Sequence, residues 1–383
     1  MKIDIKHILL GTIIVFLFLP LIQENFNVPK IEPLAGKYVP AEDTIFSRYA
    51  WFSKRFQEKK EKFLQDHFGF HNTYIRLYNQ IAFNLFRKAK ANNVIIGKEN
   101  YLYGDRYIAA YYGEDFVGFD SIRKKMEMVS FLADTFKKMD KTFFLVFAPG
   151  KAAYYPEYLP RSQKIPKGVT NMEVYLKLAK EMNIPHLDFH SWFIQQKNIS
   201  KYPLMAKYGI HWSQYGATIV TDSILKTIEL KRNIDIPNTY WKKPPKIEKA
   251  KDVDIDIANG MNLLFTLKSE MMAYPEVLFE DTIGKTKPSV LVIADSFYWQ
   301  TYNMGISSIF NRSDYWYYNY LAFSHQYDQS KDMKDVDRFD EINKHDVIIV
   351  MSTDASLPEF GWLFFEMMFD HYKGTSIGSQ ASK

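Results

Sequence analysis

The sequence predicts a three-layered α/β fold around a mostly parallel sheet, on three observations. Short apolar runs at 143–147, 290–294 and 346–351 have the length and branching of buried strands, and helical periodicity lies between them. The run Val290-Leu291-Val292-Ile293-Ala294 stops abruptly at Asp295-Ser296-Phe297, as a parallel strand does where it delivers a side chain to the mouth of a sheet. Strands alternating with helices imply parallel pairing with helices on both faces.

From the start of the chain, Lys2 and Lys6 precede the apolar run 8–22, which only Gly11, Thr12 and Pro20 interrupt. This is the pattern of a signal sequence or signal anchor. The following Gln23-Glu24-Asn25-Phe26-Asn27 offers no small-x-small cleavage site, so residues 1–24 read as an uncleaved anchor with its basic end in the cytoplasm. Residues 25–44, with their prolines and polar side chains, read as a tether. Over 50–66, Phe52, Phe56 and Phe63 share one helical face, so a helix ending near Gly69 is expected. A second amphipathic helix is expected over 72–90. Residues 94–103 read as a hairpin with Glu99-Asn100 at its turn.

The main domain, residues 45–373, gains its α/β rhythm near residue 121. Ile122, Met126, Val129, Ala133 and Phe136 are spaced four, three, four and three, one face of a helix leading into the strand 143–147. A helix over 171–182 precedes a strand over 185–189, and Ala217, Val220, Ile224 and Ile228 mark the helix after His211. Residues 231–289, rich in Lys, Pro and Asp, break the pattern and read as an insertion over the sheet. A Phe- and Met-rich helix closes the domain, and residues 374–383 read as a disordered polar tail.

Composition narrows the function. The formal net charge of +5 is spread over Lys-Glu and Lys-Asp neighbours with no basic block, so a nucleic-acid partner is not expected. There is no cysteine, which excludes disulfides, thiolate chemistry and a lipidated N-terminal cysteine. Aromatic residues make up 16% of the chain; buried Phe and Tyr alone explain that, the alternative being aromatic surfaces that stack on sugar rings. Phosphate loops and dinucleotide fingerprints are absent, so no cofactor is expected.

Two local runs carry chemistry. Ser296, after its strand, is either the N-cap of a helix or a nucleophile whose oxyanion the next helix start can hold. His211, in Gly209-Ile210-His211-Trp212-Ser213-Gln214-Tyr215-Gly216, is the best placed of nine histidines to take its proton. Lys151, after Pro149-Gly150 at a strand end, is expected to point into the same cleft, balancing substrate charge or orienting a loop. Asp295 is expected to cap the helix after it or to hold the serine loop by accepting backbone N–H bonds. Asn319, in a Tyr-Tyr-Asn-Tyr run, is a candidate oxyanion donor. His186, Asp188 and His190 alternate along an expected strand as zinc ligands would, but Leu187 and Phe189 explain the alternation as half-burial and no fourth ligand is near, so no metal is expected.

Taken in order, Gln57-Glu58-Lys59-Lys60 with Asp66-His67-Phe68-Gly69-Phe70, Gly97 to Tyr103, Ala148-Pro149-Gly150-Lys151 with Tyr155-Pro156-Glu157, His211-Trp212-Ser213 with Tyr215-Gly216, and Ala294-Asp295-Ser296-Phe297 resemble the SGNH-hydrolase-like acetyltransferases typified by the alginate O-acetylation proteins AlgJ and AlgX. The resemblance spans about residues 45–370, and the histidine precedes the serine, the permuted order of that family. It implies a Ser296 nucleophile, a His211 base, Trp212 packed beside the site, Lys151 at its rim and Tyr215 in support. It also implies an inner-membrane protein facing the periplasm that acetylates polysaccharide hydroxyls with acetyl groups from a membrane-bound O-acyltransferase.

One position departs from the pattern. The family has Asp-x-His-Trp, and Gly209 stands at the aspartate position. Without an orienting carboxylate the rate of a serine protease falls by about 10⁴. Three outcomes follow: another carboxylate substitutes, Asp188 being the first choice; the enzyme works as a Ser-His dyad; or the site is inactive. The last would make the chain a polysaccharide-binding or acyltransferase-docking protein. A carbohydrate acetylesterase would share the site and let water complete the second step.

Overall fold

The computed structural model describes residues 4–36, 39–160, 166–241 and 243–381, with side chains as far as Gly374. Lys2 and the last two residues of the tail lie outside these. By internal contacts the chain divides into two units, residues 1–94 with 257–268, and residues 95–256 with 269–383.

The first unit is helical. The apolar N-terminal run forms α1 (Ile5–Phe26), with Asp4 as its N-cap and Asn27 in the left-handed conformation at its end. The expected single helix over 50–66 is broken. Lys54, with φ of 62°, separates α2 (Arg48–Phe52) from α3 (Arg55–Asp66), because the helical path cannot pass a left-handed residue. The helix after it, α4 (His71–Phe86), ends earlier than its periodicity suggests, at a left-handed Arg87. The tether is pinned to this unit: Arg76 donates to the carbonyls of Glu32 and Pro33, and Ala41 donates its N–H to Asp66 at 2.8 Å.

The second unit opens with two short paired strands, β1 (Val94–Ile96) and β2 (Leu102–Gly104), whose connecting turn puts Glu99 and Asn100 at positive φ. Helices α5 (Asp105–Tyr112) and α6 (Phe119–Lys138) lead to β3 (Thr142–Ala148). Then come α7 (Lys151–Tyr154), α8 (Asn171–Glu181), β4 (His186–Asp188), α9 (Phe189–Gln196) and α10 (Gln214–Arg232). The insertion forms two small antiparallel pairs, β5 (Thr239–Tyr240) with β8 (Leu278–Phe279), and β6 (Lys246–Lys249) with β7 (Met271–Tyr274). The helix α11 (Asp256–Gly260) begins between them.

After the insertion, β9 (Ser289–Ala294), α12 (Tyr298–Asn303), β10 (Arg312–Tyr317), β11 (Leu321–Ser324) and β12 (Lys331–Asp332) follow. The chain closes with α13 (Arg338–Asn343), β13 (Val347–Thr353) and α14 (Phe364–Ala381). The last helix continues through most of the segment whose polar composition predicts a disordered tail.

The central sheet has the order β12-β11-β10-β9-β13-β3-β4, parallel from β10 to β4 and antiparallel at the β10-β11-β12 edge. Alternate strand residues face opposite layers. Val290, Val292 and Ala294 join α9, α10 and α12 in one core, and Leu291 and Ile293 join α6, α8 and α14 in the other. The sheet is therefore three-layered as the pattern implies. After β3 the chain steps outward to β4, and after β9 it steps the other way to β10. That reversal leaves a crevice at the carboxyl edge, where open α/β sheets bind ligands.

Candidate active site

The carboxyl ends of β9 and β13 fix the serine. Asp295, 1% exposed, accepts the backbone N–H of Phe297 at 3.1 Å through Oδ1. Its Oδ2 accepts the backbone N–H and the hydroxyl of Thr353, both at 2.8 Å. Burial pushes the Asp295 carboxyl above its ordinary pKa and these hydrogen bonds pull it back. Asp295 thereby ties the serine turn to the end of β13. With the turn so held, Ser296 lines a cleft of about 980 Å³.

His211 Nε2 lies 2.9 Å from Ser296 Oγ, and its Nδ1 lies 2.7 Å from Asp256 Oδ2. The other carboxylate oxygen of Asp256 accepts the N–H of Ile210 at 2.9 Å, so both oxygens are bound to the histidine loop. With Asp256 accepting from Nδ1, Nε2 is the nitrogen left with a lone pair toward the serine. The order of groups is that of a serine nucleophile, a base and an orienting acid.

Asp188 does not take that place. It accepts the N–H of Ser191 at 2.8 Å as the N-cap of α9. The acid instead comes from the insertion. A β-carbon built on Gly209 would stand 2.3 Å from the Val253 carbonyl oxygen and 3.0 Å from Asp254 Cα, so the segment carrying Asp256 occupies the space of a side chain at 209. Asp254 anchors the segment by accepting the Tyr274 hydroxyl at 2.8 Å, and its burial pushes its pKa up to about 7.

Lys151 is not at the rim. It is fully buried, and its Nζ donates to the carbonyls of Lys207 and Gly209, each at 2.7 Å. Burial lowers its pKa to about 7. Its ammonium group is tied to the loop that leads to His211. Trp212 is fully buried and meets the Phe297 ring edge-on at 5.1 Å, packing the histidine loop on the residue after the serine. Tyr215 packs edge-on against Tyr202 and does not line the cleft.

Asn319 turns away from the serine. Its Nδ2 donates to the Trp362 carbonyl at 2.9 Å, and its Oδ1 accepts from Arg338 at 3.3 Å. The neighbouring Tyr318 lines the cleft instead, and the nearness of Ser296 draws its phenol pKa down. Burial, with Asp295 nearby, still holds that phenol up at about 12.

The alternation of His186, Asp188 and His190 along one strand does not form, because β4 stops at Asp188 and His190 is already on α9. His186 faces the Ile184 carbonyl at 2.8 Å. Among the described residues Asp314, Glu341 and His345 come together as metal ligands would, but the Arg312 guanidinium lies among them, 2.7 Å from Asp314 and 2.5 Å from Glu341, and supplies the balancing charge.

Tyr318, Trp362, Arg106, Asp115 and Lys125, which line the cleft with Ser296, carry no local signal of that role. Asp256 had one faint signal, the carboxylates at 252, 254 and 256 inside an otherwise unassigned insertion.

Residues 94–255 match the family described as SGNH hydrolase-like domain, acetyltransferase AlgX. That stretch holds His211 and ends one residue before Asp256. No curated protein matches the chain. Among solved structures, the O-acetyltransferase domain of Pseudomonas putida AlgJ is similar at 13% identity with a TM-score of 0.46, over 73% of this chain and 99% of that one. Bacillus cereus PatB1 is similar at 14% identity and a TM-score of 0.43, over 69% and 97%. Pseudomonas aeruginosa AlgX is similar at 13% identity and a TM-score of 0.45, over 70% and 67%. The chain resembles the SGNH hydrolase-like acetyltransferase family, and its match to that family's domain runs over residues 94–255.

Proposed function

We propose that the chain is an O-acetyltransferase that places acetyl groups on hydroxyls of a cell-envelope polysaccharide, of the alginate type in chemistry. One observation carries this reading above all: the unbroken hydrogen-bonded series Ser296, His211, Asp256 at the floor of an open cleft. His211 takes the Ser296 proton as Oγ attacks the acetyl carbonyl of a donor ester, then gives it to the departing alcohol. A sugar hydroxyl next loses its proton to His211 and attacks the acetyl-serine ester, which releases Ser296 and leaves the acetyl on the sugar. Asp256 steadies the imidazolium in both halves.

The cleft suits a polyhydroxylated acceptor. Tyr318 and Trp362 offer ring faces and edges, and Arg106, Lys125, Asp115 and Glu359 offer charge and hydrogen bonds along the same wall. The N-terminal apolar helix supports an anchor or signal sequence; an inner-membrane anchor with the domain in the periplasm, and a membrane-bound O-acyltransferase as acetyl source, complete the proposal. The ground for a non-catalytic docking protein is the missing acid at Gly209; the Asp256 carboxylate on His211 Nδ1, reached from the insertion, supports the catalytic reading instead.

The test is intact-mass spectrometry of the chain after exposure to an activated acetyl ester, with Ser296→Ala in parallel. A single acetyl adduct on Ser296, absent from the variant and passed to an added oligosaccharide faster than to water, is expected. An adduct lost only to water would make the protein an acetylesterase. No adduct on the folded chain would overturn both readings.

A further inference from the structure

The first helical unit has an apolar surface that its own helices leave open. Tyr74, Leu77, Ile81 and Leu85 recur at spacings of three, four and four along α4, and all are exposed. The stripe continues onto the α3–α4 corner, where Phe68 stacks on Tyr74 at 6.2 Å and is itself half exposed, as is Leu64. A contiguous face of this kind on a folded unit marks a place that something apolar covers.

The occupant follows from where α1 touches this corner. A β-carbon on Gly69 would stand 1.8 Å from the Pro20 carbonyl oxygen, and Phe70 donates its N–H to Gln23 Oε1 at 2.9 Å. Pro20 and Gln23 are the two buried residues of an otherwise exposed apolar helix. Pro20 is fourteen residues beyond Lys6, about 21 Å along a helix that rises ~1.5 Å per residue. A bilayer's hydrocarbon core is about 30 Å thick. With Lys6 at the cytoplasmic boundary, the Pro20 contact falls several ångströms inside the opposite boundary, and the α3–α4 corner must enter it too.

We infer that the α3–α4 corner and the apolar stripe of α4 are seated in the outer leaflet of the membrane that α1 spans, so that the first unit is a membrane-embedded platform and not a stalk. The surface has the make-up of an interfacial helix: Phe and Tyr beside Leu and Ile, with exposed Lys59 and Lys62 on α3 to meet anionic headgroups. The inference rests on reading α1 as an uncleaved anchor.

The absence of cysteine makes the test clean. Leu64→Cys, Phe68→Cys and Leu77→Cys, each carrying an environment-sensitive fluorophore, are placed in the full chain in phosphatidylethanolamine–phosphatidylglycerol vesicles. Ile13→Cys reports on α1, and circular dichroism with a Tm for each variant checks its fold. Lipids with a shallow nitroxide should quench positions 64, 68 and 77 at least twofold, and aqueous iodide should not. If position 13 is quenched by lipid while the other three answer only to iodide, the anchor stands and the platform is overturned. If position 13 also answers to iodide, the anchor reading fails and takes the platform with it. Shielding of 64, 68 and 77 from both quenchers would mean that protein covers the face, most simply a second copy of the chain, and would overturn the inference as well.

Discussion

The Val253 carbonyl oxygen fills the space that a side chain at position 209 would occupy, 2.3 Å from where a β-carbon on Gly209 would lie. The glycine is therefore the condition for the insertion to approach the histidine loop closely enough for Asp256 to reach His211 and the Ile210 N–H together. Gly209→Ala should force the 252–256 segment to move, at a cost of about 1–3 kcal/mol. We expect a lower Tm and a fall in kcat that exceeds the change in KM. Unchanged kcat in a chain with normal Tm would show that the contact does not set the position of the acid. Restoring a carboxylate by Gly209→Asp in an Asp256→Asn background should not restore turnover, because the space is taken by backbone.

Asp256 and Asp188 make opposite predictions. Asp256→Asn keeps the volume but gives His211 a partner that no longer stabilises the imidazolium, and kcat should fall by about 10³–10⁴. Asp188→Asn alters the cap of α9 and should cost no more than about 1 kcal/mol of stability with turnover retained. Kinetics of acetyl release from an activated ester compare the two directly, and a large loss in the Asp188 variant alone would reverse the assignment.

What the sequence made legible, and what it did not, divides along physical lines. Ser296 and His211 sit in local runs whose meaning depends on a few neighbours, and the strand-turn-helix around Ser296 follows from the periodicity of residues 290–303. Asp256 became visible only through tertiary approach, since nothing local ties residue 256 to 211. Lys151 reads as a cleft or rim residue because a lysine ordinarily keeps its charge near water; here two loop carbonyls receive its ammonium group in the interior. Asn319 faces away from the cleft that its neighbour Tyr318 lines. Tyr318 and Asn319 both have positive φ, 50° and 48°, so the chain reverses there and presents Tyr318 to the serine while Asn319 reaches back to Trp362.

Asp354 gives a pH-dependent signature. Burial, with Asp115 and Asp295 nearby, pushes its pKa up to about 8 against the backbone N–H groups of Ala355 and of Asp354 itself. Its folded pKa lies above its unfolded one, so between about pH 4 and pH 8 the folded chain holds a proton that the unfolded chain has lost, and stability falls as pH rises. Asp354→Asn removes this dependence. The variant's stability relative to wild type should grow across that range, by up to about 5 kcal/mol. Denaturant melts at pH 5 and pH 8 measure the difference, and a gap that is the same at both would mean the Asp354 carboxyl titrates as an ordinary aspartate.

Trp362 is the residue on which acceptor binding can be tested apart from acyl-enzyme formation. Gly361, Trp362 and Leu363 all have positive φ, 80°, 46° and 66°, and a bulky residue pays for that conformation unless its surroundings impose it. Here the Trp362 carbonyl is held by Asn319, and its ring meets Tyr318 edge-on at 5.2 Å. The result is an indole fixed on the cleft wall with Ser296, where a sugar ring can lie against it. Trp362→Ala should raise KM for an oligosaccharide acceptor by roughly 5–30-fold, the equivalent of about 1–2 kcal/mol of lost ring contact. Acetylation of Ser296 by a small activated ester, which does not need that surface, should proceed at nearly the wild-type rate, and Trp362→Phe should recover part of the acceptor affinity. A variant that loses acyl-enzyme formation and acceptor transfer together would show that Trp362 shapes the serine turn through Asn319 and Tyr318 and does not bind sugar.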